Sequence, residues 1–421
     1  MTPNANRRDF LKAGAVATAT AAAANLIPTA VHAAGNDAIK VGLIGCGGRG
    51  TGALGNILEA DKAVRVHAVG DVFPEKAKAI AGRFKKYGDR IQLGDRVFDG
   101  LDAYQKVLDS GIDLVILATP PGFRPTHLEA AIKAGKNIFT EKPVGVDAAG
   151  IRKVLALVDE TKKKNLAVVA GTQRRHQASY IETVKRIKDG EIGEIVSARC
   201  SWNGDGIWFH PRNQGEPDVH YQIRNWYHFL WLCGDHIVEQ HVHNLDVCNW
   251  VLGAHPVRAY GFGGRCYRKP GDPNEVGQIW DHFTVQYEYP NGVPVYSTCT
   301  HIPGIKSDIS ESVYGSKGVC QVNRSTINRK RVFTGSEVDP YVQEHIDLLH
   351  SIRSGKPLNE LQAVAESTMT AILGRMAAYS GQPLTWEQAL HAKEDTMPHE
   401  LALDMSHPIG PVPAPGKYKV A

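Results

Sequence analysis

The fold is decided by a short stretch near the start of the chain, IKVGLIGCGGRG at residues 39–50. Its apolar beginning predicts a buried strand, which leads directly into the pattern G-x-G-x-x-G. In that pattern Gly45 allows a tight turn, Gly47 lets the backbone approach a pyrophosphate, and Gly50 lets the following helix pack closely on the strand. The stretch therefore predicts a dinucleotide-binding turn. Its predicted contact residues are Gly45, Cys46, Gly47, Gly48, Arg49 and Gly50.

An acidic residue stands where such a turn needs one. The apolar run at residues 64–70 predicts a second strand, and Asp71 follows it, 21 positions after Gly50. A carboxylate at this point can accept hydrogen bonds from both ribose hydroxyls, and it repels a 2′-phosphate. The sequence therefore predicts NAD, with NADP disfavoured, as the cofactor.

Strands and helices alternate along the next part of the chain. Helices are predicted near residues 74–84, 101–108 and 125–134, and strands at 112–118 and 137–140. This alternation predicts an α/β fold with a doubly wound parallel sheet, in which ligands bind at the carboxyl ends of the strands. The residues that follow the strands at that edge, and that we predict to contact the cofactor, are Thr119, Pro120, Glu141 and Lys142.

Length and composition exclude several classes of protein. With 421 residues, the chain is long enough for two or three domains. Its 43% hydrophobic and 22% charged residues are close to globular averages, which argues against a disordered, collagen-like or coiled-coil protein. A net charge of +4 is too small to indicate a nucleic-acid partner. The seven scattered cysteines match neither a disulfide framework nor a zinc motif, so no metal is predicted.

The first residues of the chain have the order of a signal peptide. The pair Arg7-Arg8, followed by Phe-Leu-Lys and a run of small apolar residues, resembles a twin-arginine export signal, although Asn6 stands where Ser or Thr is usual. A membrane anchor is the alternative, but the run is too weakly apolar for a stable span. We therefore predict a signal peptide at residues 1–33, the twin-arginine export machinery as a partner, and an exported, periplasmic protein.

Three motifs together resemble the glucose-fructose oxidoreductase, inositol dehydrogenase and MocA family, abbreviated Gfo/Idh/MocA. They are the glycine pattern, ATPP and EKP, and the likeness extends from about residue 38 to about residue 395. The resemblance implies a Rossmann domain at 38–165, a C-terminal substrate-binding α/β domain at 166–395 with an open, mainly antiparallel sheet, and a proline-rich tail at 396–421. Family members commonly associate through that sheet, so a homo-oligomer, dimer or tetramer, is also implied.

By the same resemblance, Lys142 of the EKP motif lies beside the nicotinamide and hydrogen-bonds the reacting hydroxyl. The residue type supports this role, because an ammonium at a strand end can stabilise a developing alkoxide. A surface lysine is the alternative. The passage GTQRRH at residues 171–176 resembles the family's entry to its second domain. There we expect Gln173 to contact the cofactor and Arg175 to contact the substrate.

The chemical centre of the second half is the passage GDHIVEQHVHNLD. On a single helix its Glu239, His243 and Asp246 share one face. The resemblance implies that His243 removes the hydroxyl proton, and imidazole suits this work because its pKa lies near neutrality. Glu239, where the family usually has Asp, would orient His243. The alternatives are a metal site that includes His236, and buried histidines satisfied by the backbone; the second is favoured for His241.

Aromatic residues are concentrated in the segment 201–231, which holds four of the seven tryptophans. Aromatic rings can cover the apolar faces of sugars while the polar residues among them bind hydroxyls. A small satellite core under a loop is the alternative, and base stacking is disfavoured because the segment lacks a basic run. The predicted substrate contacts are Lys142, Arg175, Trp208, Trp226, Tyr227, Glu239 and His243.

These features predict an NAD-dependent oxidoreductase that acts on a CH–OH group of a sugar, sugar derivative or polyol. Lys142 and His243 would handle the hydroxyl proton. Free NAD is scarce outside the cytoplasm, so an exported enzyme would be loaded with its cofactor before export and would retain it. A redox-neutral NAD-dependent glycosidase, working by oxidation, elimination, hydration and reduction, is one alternative. A non-catalytic sugar- or nucleotide-binding module is the other.

Overall fold

The computed structural model describes residues 38–268 and 277–420, so the predicted signal peptide lies outside the described residues. The first sheet has six strands, all parallel, in the order β3-β2-β1-β4-β5-β6. The strands are β1 Lys40–Ile44, β2 Arg65–Asp71, β3 Val97–Asp99, β4 Leu114–Leu117, β5 Asn137–Thr140 and β6 Val168–Ala170. The connecting α-helices are Gly48–Ala60, Pro74–Arg83, Ala103–Asp109, Arg124–Lys133, Ala148–Ala156 and Val158–Lys163. The predicted doubly wound parallel sheet is confirmed.

The last strand of this sheet lies beyond the predicted domain boundary at residue 165. β6 pairs with β5, Phe139 lying opposite Val169, so the strand that we expected to open the second domain completes the first sheet. The sequence predicts a strand at residues 166–170 but not which strand lies beside it, because strand pairing is decided by contacts between distant segments. Helix Pro340–Arg353 also returns to the first domain, where Leu348 and Leu349 join its core.

The second sheet has nine strands in the order β14-β13-β12-β11-β7-β10-β9-β8-β15. Its only parallel pair within the described residues is β7 with β10, so the predicted open, mainly antiparallel sheet is confirmed. The strands are β7 Ile195–Gly204, β8 Arg258–Gly264, β9 His282–Glu288, β10 Pro294–His301, β11 Asp308–Gly315, β12 Gly318–Gln321, β13 Thr326–Ile327, β14 Lys330–Arg331 and β15 Leu384–Thr385.

The two faces of this sheet differ in what covers them. Helices Val242–Leu252 and Leu361–Ser380 pack on one face, and the second of these helices also contacts β6 of the first sheet. Tyr260 and Tyr296 stand on the opposite face, both paired with Gln286, and remain about half exposed. The remaining α-helices are Ala178–Lys188, Asp218–Arg224, Leu230–Cys233, His236–Glu239, Pro340–Arg353 and Trp386–Leu390.

The chain after residue 391 contains neither helix nor strand up to residue 420 and contacts both domains. Side-chain hydrogen bonds help to hold this segment in place. For example, the Trp280 indole donates to the Pro413 carbonyl over 2.9 Å. Among the described residues, no helix combines the length and apolarity needed to cross a membrane. All seven cysteines are free.

Candidate active site

The glycine turn adopts a conformation that side chains would obstruct. Gly45 has a φ of +95°, and a Cβ there would lie 2.6 Å from the backbone of Ala118 and Thr119. A Cβ on Gly50 would lie 1.9 Å from the Gly45 carbonyl oxygen, because the helix begins directly against the turn. At Gly47, in contrast, no atom comes within 4 Å of the Cβ position. The open space is therefore on the side where a pyrophosphate would meet the helix N-terminus.

A cleft of about 790 Å³ extends from this turn along the carboxyl ends of β1, β2 and β4. The Asp71 carboxylate lies in its wall and accepts hydrogen bonds from the backbone N–H groups of Cys46 (2.7 Å) and Phe73 (2.9 Å). Burial raises the pKa of Asp71, although these hydrogen bonds oppose the shift. Apolar side chains of Phe73, Leu101 and Tyr104 line the far end. A glycine turn without side chains, an acid and an apolar slot together fit a dinucleotide.

A second cleft, of about 1040 Å³, adjoins the first. The two share Arg49, Ala118, Thr119 and Trp226 in their walls, so a ligand in one can reach a ligand in the other. The second cleft is lined by the predicted residues Glu141, Lys142, Trp208, Trp226, Tyr227, Glu239 and His243.

Lys142 and Glu239 form a buried ion pair in this second cleft. The Lys142 ammonium donates to the Glu239 carbonyl oxygen over 2.6 Å and to its Oε1 over 3.0 Å, and both side chains are 8% exposed. Oε2 of Glu239 has no hydrogen-bond partner among the described residues. The ammonium is therefore fixed in position by Glu239, whose second carboxylate oxygen is buried.

The same contact interrupts the predicted helix, so that prediction is wrong. Residues 234–246 form two pieces, one ending at Glu239 and one beginning at Val242. In a continuous helix the Glu239 carbonyl would accept from the His243 N–H. Here the carbonyl accepts from Lys142, and the His243 N–H donates to the Gln240 carbonyl over 3.3 Å. Glu239 and His243 nevertheless both reach the cleft.

His243 is buried, and its ring stacks on Trp202 with 5.6 Å between ring centroids. Burial lowers the pKa of His243 well below its usual range, and the positive charges of Lys142, Arg174 and Arg49 lower it further. The imidazole is therefore neutral at pH 7, with an unprotonated nitrogen that can accept a proton. No hydrogen bond to the ring is made by the part of the chain that the structure describes.

Two buried or half-buried arginines complete the junction of the clefts. The Arg124 guanidinium donates to the carbonyl of Leu117, which ends β4, and to that of Thr119, two residues further on. Arg49 pairs with Glu141 over 2.8 Å. Trp202, which belongs to the aromatic segment 201–231, also lines the cleft. Arg124 is a lining residue that the sequence does not single out, because nothing in the local sequence distinguishes a buried arginine from a surface one.

Several predicted contacts lie elsewhere. The Arg175 guanidinium binds both carboxylate oxygens of Asp246, at 2.8–3.1 Å, so neither residue faces the clefts. Gln173 donates to the Tyr341 hydroxyl over 3.1 Å and lines neither cleft. The Cys46 side chain is buried and faces the Gly70 carbonyl, so only the Cys46 backbone N–H reaches Asp71.

The other histidines of the passage are structural. His236 faces the Tyr227 hydroxyl, and His241 faces the Ser297 hydroxyl over 2.7 Å. In the described residues no cluster of side chains is suited to hold a metal ion.

The aromatic residues of segment 201–231 lie in two different places. Trp208, Trp226 and Tyr227 line the second cleft. Phe229 and Trp231 instead belong to a satellite core with Phe73 of the first domain. The segment therefore covers the clefts on one side and anchors itself on the other.

Comparison with known proteins assigns the family. The model described as "Oxidoreductase family, NAD-binding Rossmann fold" matches residues 39–170, and the GFO/IDH/MocA C-terminal domain matches residues 180–321, together more than half of the chain. The chain belongs to the Gfo/Idh/MocA family. The predicted family and NAD cofactor are thus confirmed. A twin-arginine translocation signal sequence matches residues 4–24, which confirms the predicted export signal.

Relatives in this family act on polyols according to their names. The chain is 30% identical to an inositol 2-dehydrogenase of Rhizobium meliloti (strain 1021) over 52% of its own length and 56% of the relative's. It thus spans little more than half of that relative. A scyllo-inositol 2-dehydrogenase (NAD(+)) of Bacillus subtilis (strain 168) is 25% identical over 66% of this chain and 72% of the relative.

A solved structure with the same fold is scyllo-inositol dehydrogenase from Lactobacillus casei with bound cofactor NAD(H) and scyllo-inositol. The TM-score is 0.63, the sequence identity is 18%, and the match covers 83% of this chain and 99% of that one. At this identity the likeness establishes the fold alone.

Proposed function

We propose that the protein is an NAD-dependent oxidoreductase that oxidises a CH–OH group of a polyol or sugar. The observation that carries the proposal is the meeting of Lys142, Glu239 and His243 in a cleft that opens onto the dinucleotide cleft. The inositol dehydrogenase names of two relatives favour a polyol or a sugar derivative as the substrate.

NAD, when bound, supplies the acceptor for the hydride that leaves the substrate carbon. Lys142, held by Glu239, donates a hydrogen bond to the substrate hydroxyl oxygen and stabilises the negative charge that develops there. His243 is neutral and accepts the hydroxyl proton. Trp208 and Trp226 give the apolar faces of a ring-shaped substrate a surface to rest on.

We propose further that the mature protein works outside the cytoplasm, periplasmic or secreted, and retains its cofactor through turnover. The twin-arginine signal supports this, because that route exports folded proteins and free NAD is scarce beyond the membrane. A retained cofactor must be returned to its starting state in place. A second substrate, such as a keto-sugar, would do this in an oxidoreductase; a glycosidase would do it within one catalytic cycle.

The first test is to heat-denature the purified mature protein and assay the supernatant for nicotinamide nucleotide. Intact protein is then incubated with inositols, sugars and aryl glycosides. Reduction of the bound cofactor that a keto-sugar reverses supports the oxidoreductase, whereas aglycone release without an added acceptor selects the glycosidase. Bound nucleotide with neither reaction selects a non-catalytic module. A protein that is isolated empty and needs millimolar NAD would falsify cofactor retention.

Variants connect the reaction to the cleft. His243→Gln and Lys142→Met should each abolish cofactor reduction without releasing the nucleotide. His391→Gln is the matched control, because that histidine is exposed on the second domain and pairs only with a nearby carboxylate. Equal activity of His243→Gln and His391→Gln would refute the assigned base.

We also propose that the protein self-associates through the exposed face of the nine-stranded sheet. Tyr260, Phe262 and Tyr296 leave a large apolar area uncovered there. Light scattering of the purified protein should give a dimer or tetramer mass, and Phe262→Asp should shift it toward the monomer.

A further inference from the structure

We propose that residues 218–226 of the second domain, braced by the C-terminal tail, close the dinucleotide cleft and set the rate at which NAD leaves. This inference rests on the proposed function, because it identifies the residues that would make cofactor retention possible. We call residues 218–226 the cover segment and residues 397–409 the brace.

The cover segment forms one wall of the dinucleotide cleft. Ile223 and Trp226 line that cleft, and among its described lining residues these two alone come from the second domain. The opposite walls carry Asp71 and Phe73. His220 of the cover segment packs edge-on against the Phe73 ring, with 5.1 Å between centroids, immediately beyond the ribose-binding acid. A dinucleotide seated on Asp71 would therefore lie between the first domain and the cover segment.

The cover segment cannot hold this position alone. Its helix Asp218–Arg224 has seven residues, and helices of this length are unstable in isolation. Glu216, which is buried, pairs with Arg224 over 2.5 Å and with His220 over 2.7 Å, which tethers the helix to its own N-terminal side. Its placement over the cleft needs a further support.

The brace supplies that support from the solvent side. The Asp218 carboxylate accepts hydrogen bonds from the Ser406 hydroxyl and the His407 N–H, each 3.0 Å long. The Gln222 amide donates to the His407 carbonyl over 2.7 Å. The Val219 N–H donates to the Met405 carbonyl over 3.3 Å. Cover segment and brace are thus joined by both backbone and side-chain hydrogen bonds.

Apolar packing reinforces these hydrogen bonds. Ile223, Phe229 and Trp231 form a buried cluster with Phe73, and the brace packs five apolar side chains onto it. The five are Met397, Leu401, Leu403, Met405 and Ile409. Lifting the cover segment would expose this cluster to water, so the cofactor would leave slowly. Export of the loaded protein requires this behaviour.

The experiment measures NADH dissociation from loaded protein, after rapid mixing with excess NAD, through the fluorescence of bound NADH. Ile223→Ala weakens the cleft side of the cover segment. Asp218→Ala removes two of its hydrogen bonds to the brace, together with an ion pair to Arg212. Each should raise the dissociation rate about tenfold or more, which corresponds to about 1.4 kcal/mol. The matched control is Tyr418→Phe, which removes a tail hydrogen bond to Glu394 beyond the brace and should change the rate less than about twofold.

The outcomes separate this inference from the proposed function. Dissociation rates of both variants within about twofold of the wild-type rate would overturn the inference, whatever the enzyme's activity. Rapid loss of NADH by the wild type would instead refute cofactor retention, and the ratio of variant to wild-type rates would still test the cover segment. If Asp218→Ala fails to fold by circular dichroism, Ile223→Ala decides the question, because it leaves the hydrogen bonds to the brace intact.

Discussion

Replacing Lys142 by Met should destabilise the protein strongly, and removing the partner charge should restore much of the loss. Both side chains are 8% exposed and the ammonium has two acceptors on Glu239. Lys142→Met leaves a buried carboxylate without its counter-charge, which costs about 3–5 kcal/mol. The double variant Lys142→Met/Glu239→Gln contains neither charge of the pair. Its loss of stability therefore comes from the two missing hydrogen bonds, which are worth about 1 kcal/mol each. The double variant should therefore be more stable than Lys142→Met by about 1–3 kcal/mol.

Urea unfolding of nucleotide-free protein, followed by tryptophan fluorescence, measures these differences as shifts of the midpoint at a common slope. Lys133→Met is the matched control, because Lys133 forms an exposed pair with Glu129 and its loss should cost less than about 1 kcal/mol. A double variant no more stable than Lys142→Met would refute the reasoning. Burial of the Glu239 carboxylate without Lys142 would then not account for the lost stability.

Three further predictions concern proton transfer and the dinucleotide turn. Burial and the nearby positive charges lower the pKa of His243 below 6.5, so the base stays neutral as the pH falls. The value of kcat/KM should therefore reach half of its plateau only below pH 6.5. A midpoint of the pH profile at or above 6.5 would contradict this. Asp71→Ser should weaken NAD binding about tenfold and reduce the ratio of the affinity for NAD to that for NADP, as measured by fluorescence titration. An unchanged ratio would show that Asp71 does not bind the ribose. Gly47→Ala should change the free energy of unfolding by less than about 0.5 kcal/mol but weaken NAD binding, because the Cβ position of Gly47 lies in open space. Gly50→Ala should lower thermal stability, because its Cβ would clash with the Gly45 carbonyl oxygen. Equal losses of stability in the two variants would contradict the assigned geometry.

Local pattern is sufficient for the dinucleotide half of the molecule. The strand, the glycine turn and Asp71 follow one another within a short stretch, so their geometry is set by neighbours in sequence. Lys142 could be placed at the sheet edge for the same reason, because β5 ends two residues before it. The clefts at this edge contain the side chains that these patterns indicate.

Features that depend on distant partners could not be predicted. The helix break after Glu239 depends on Lys142, which lies 97 residues earlier in the chain. Arg175 was expected to contact the substrate but pairs with Asp246, 71 residues away. The brace meets Gln222 across 185 residues. In each case a polar group is satisfied by a partner that a local sequence pattern does not identify.

We propose that a retained NAD meets a polyol or sugar hydroxyl at Lys142 and His243. The most direct measurement is the near-ultraviolet absorbance of the purified mature protein, without added nucleotide, after mixing with a panel of inositols and sugars. We predict that a substrate in the panel produces the absorbance of reduced nicotinamide in wild-type protein and in His391→Gln, but not in His243→Gln. Absorbance that develops equally in His243→Gln, or only after free NAD is added, would contradict the account.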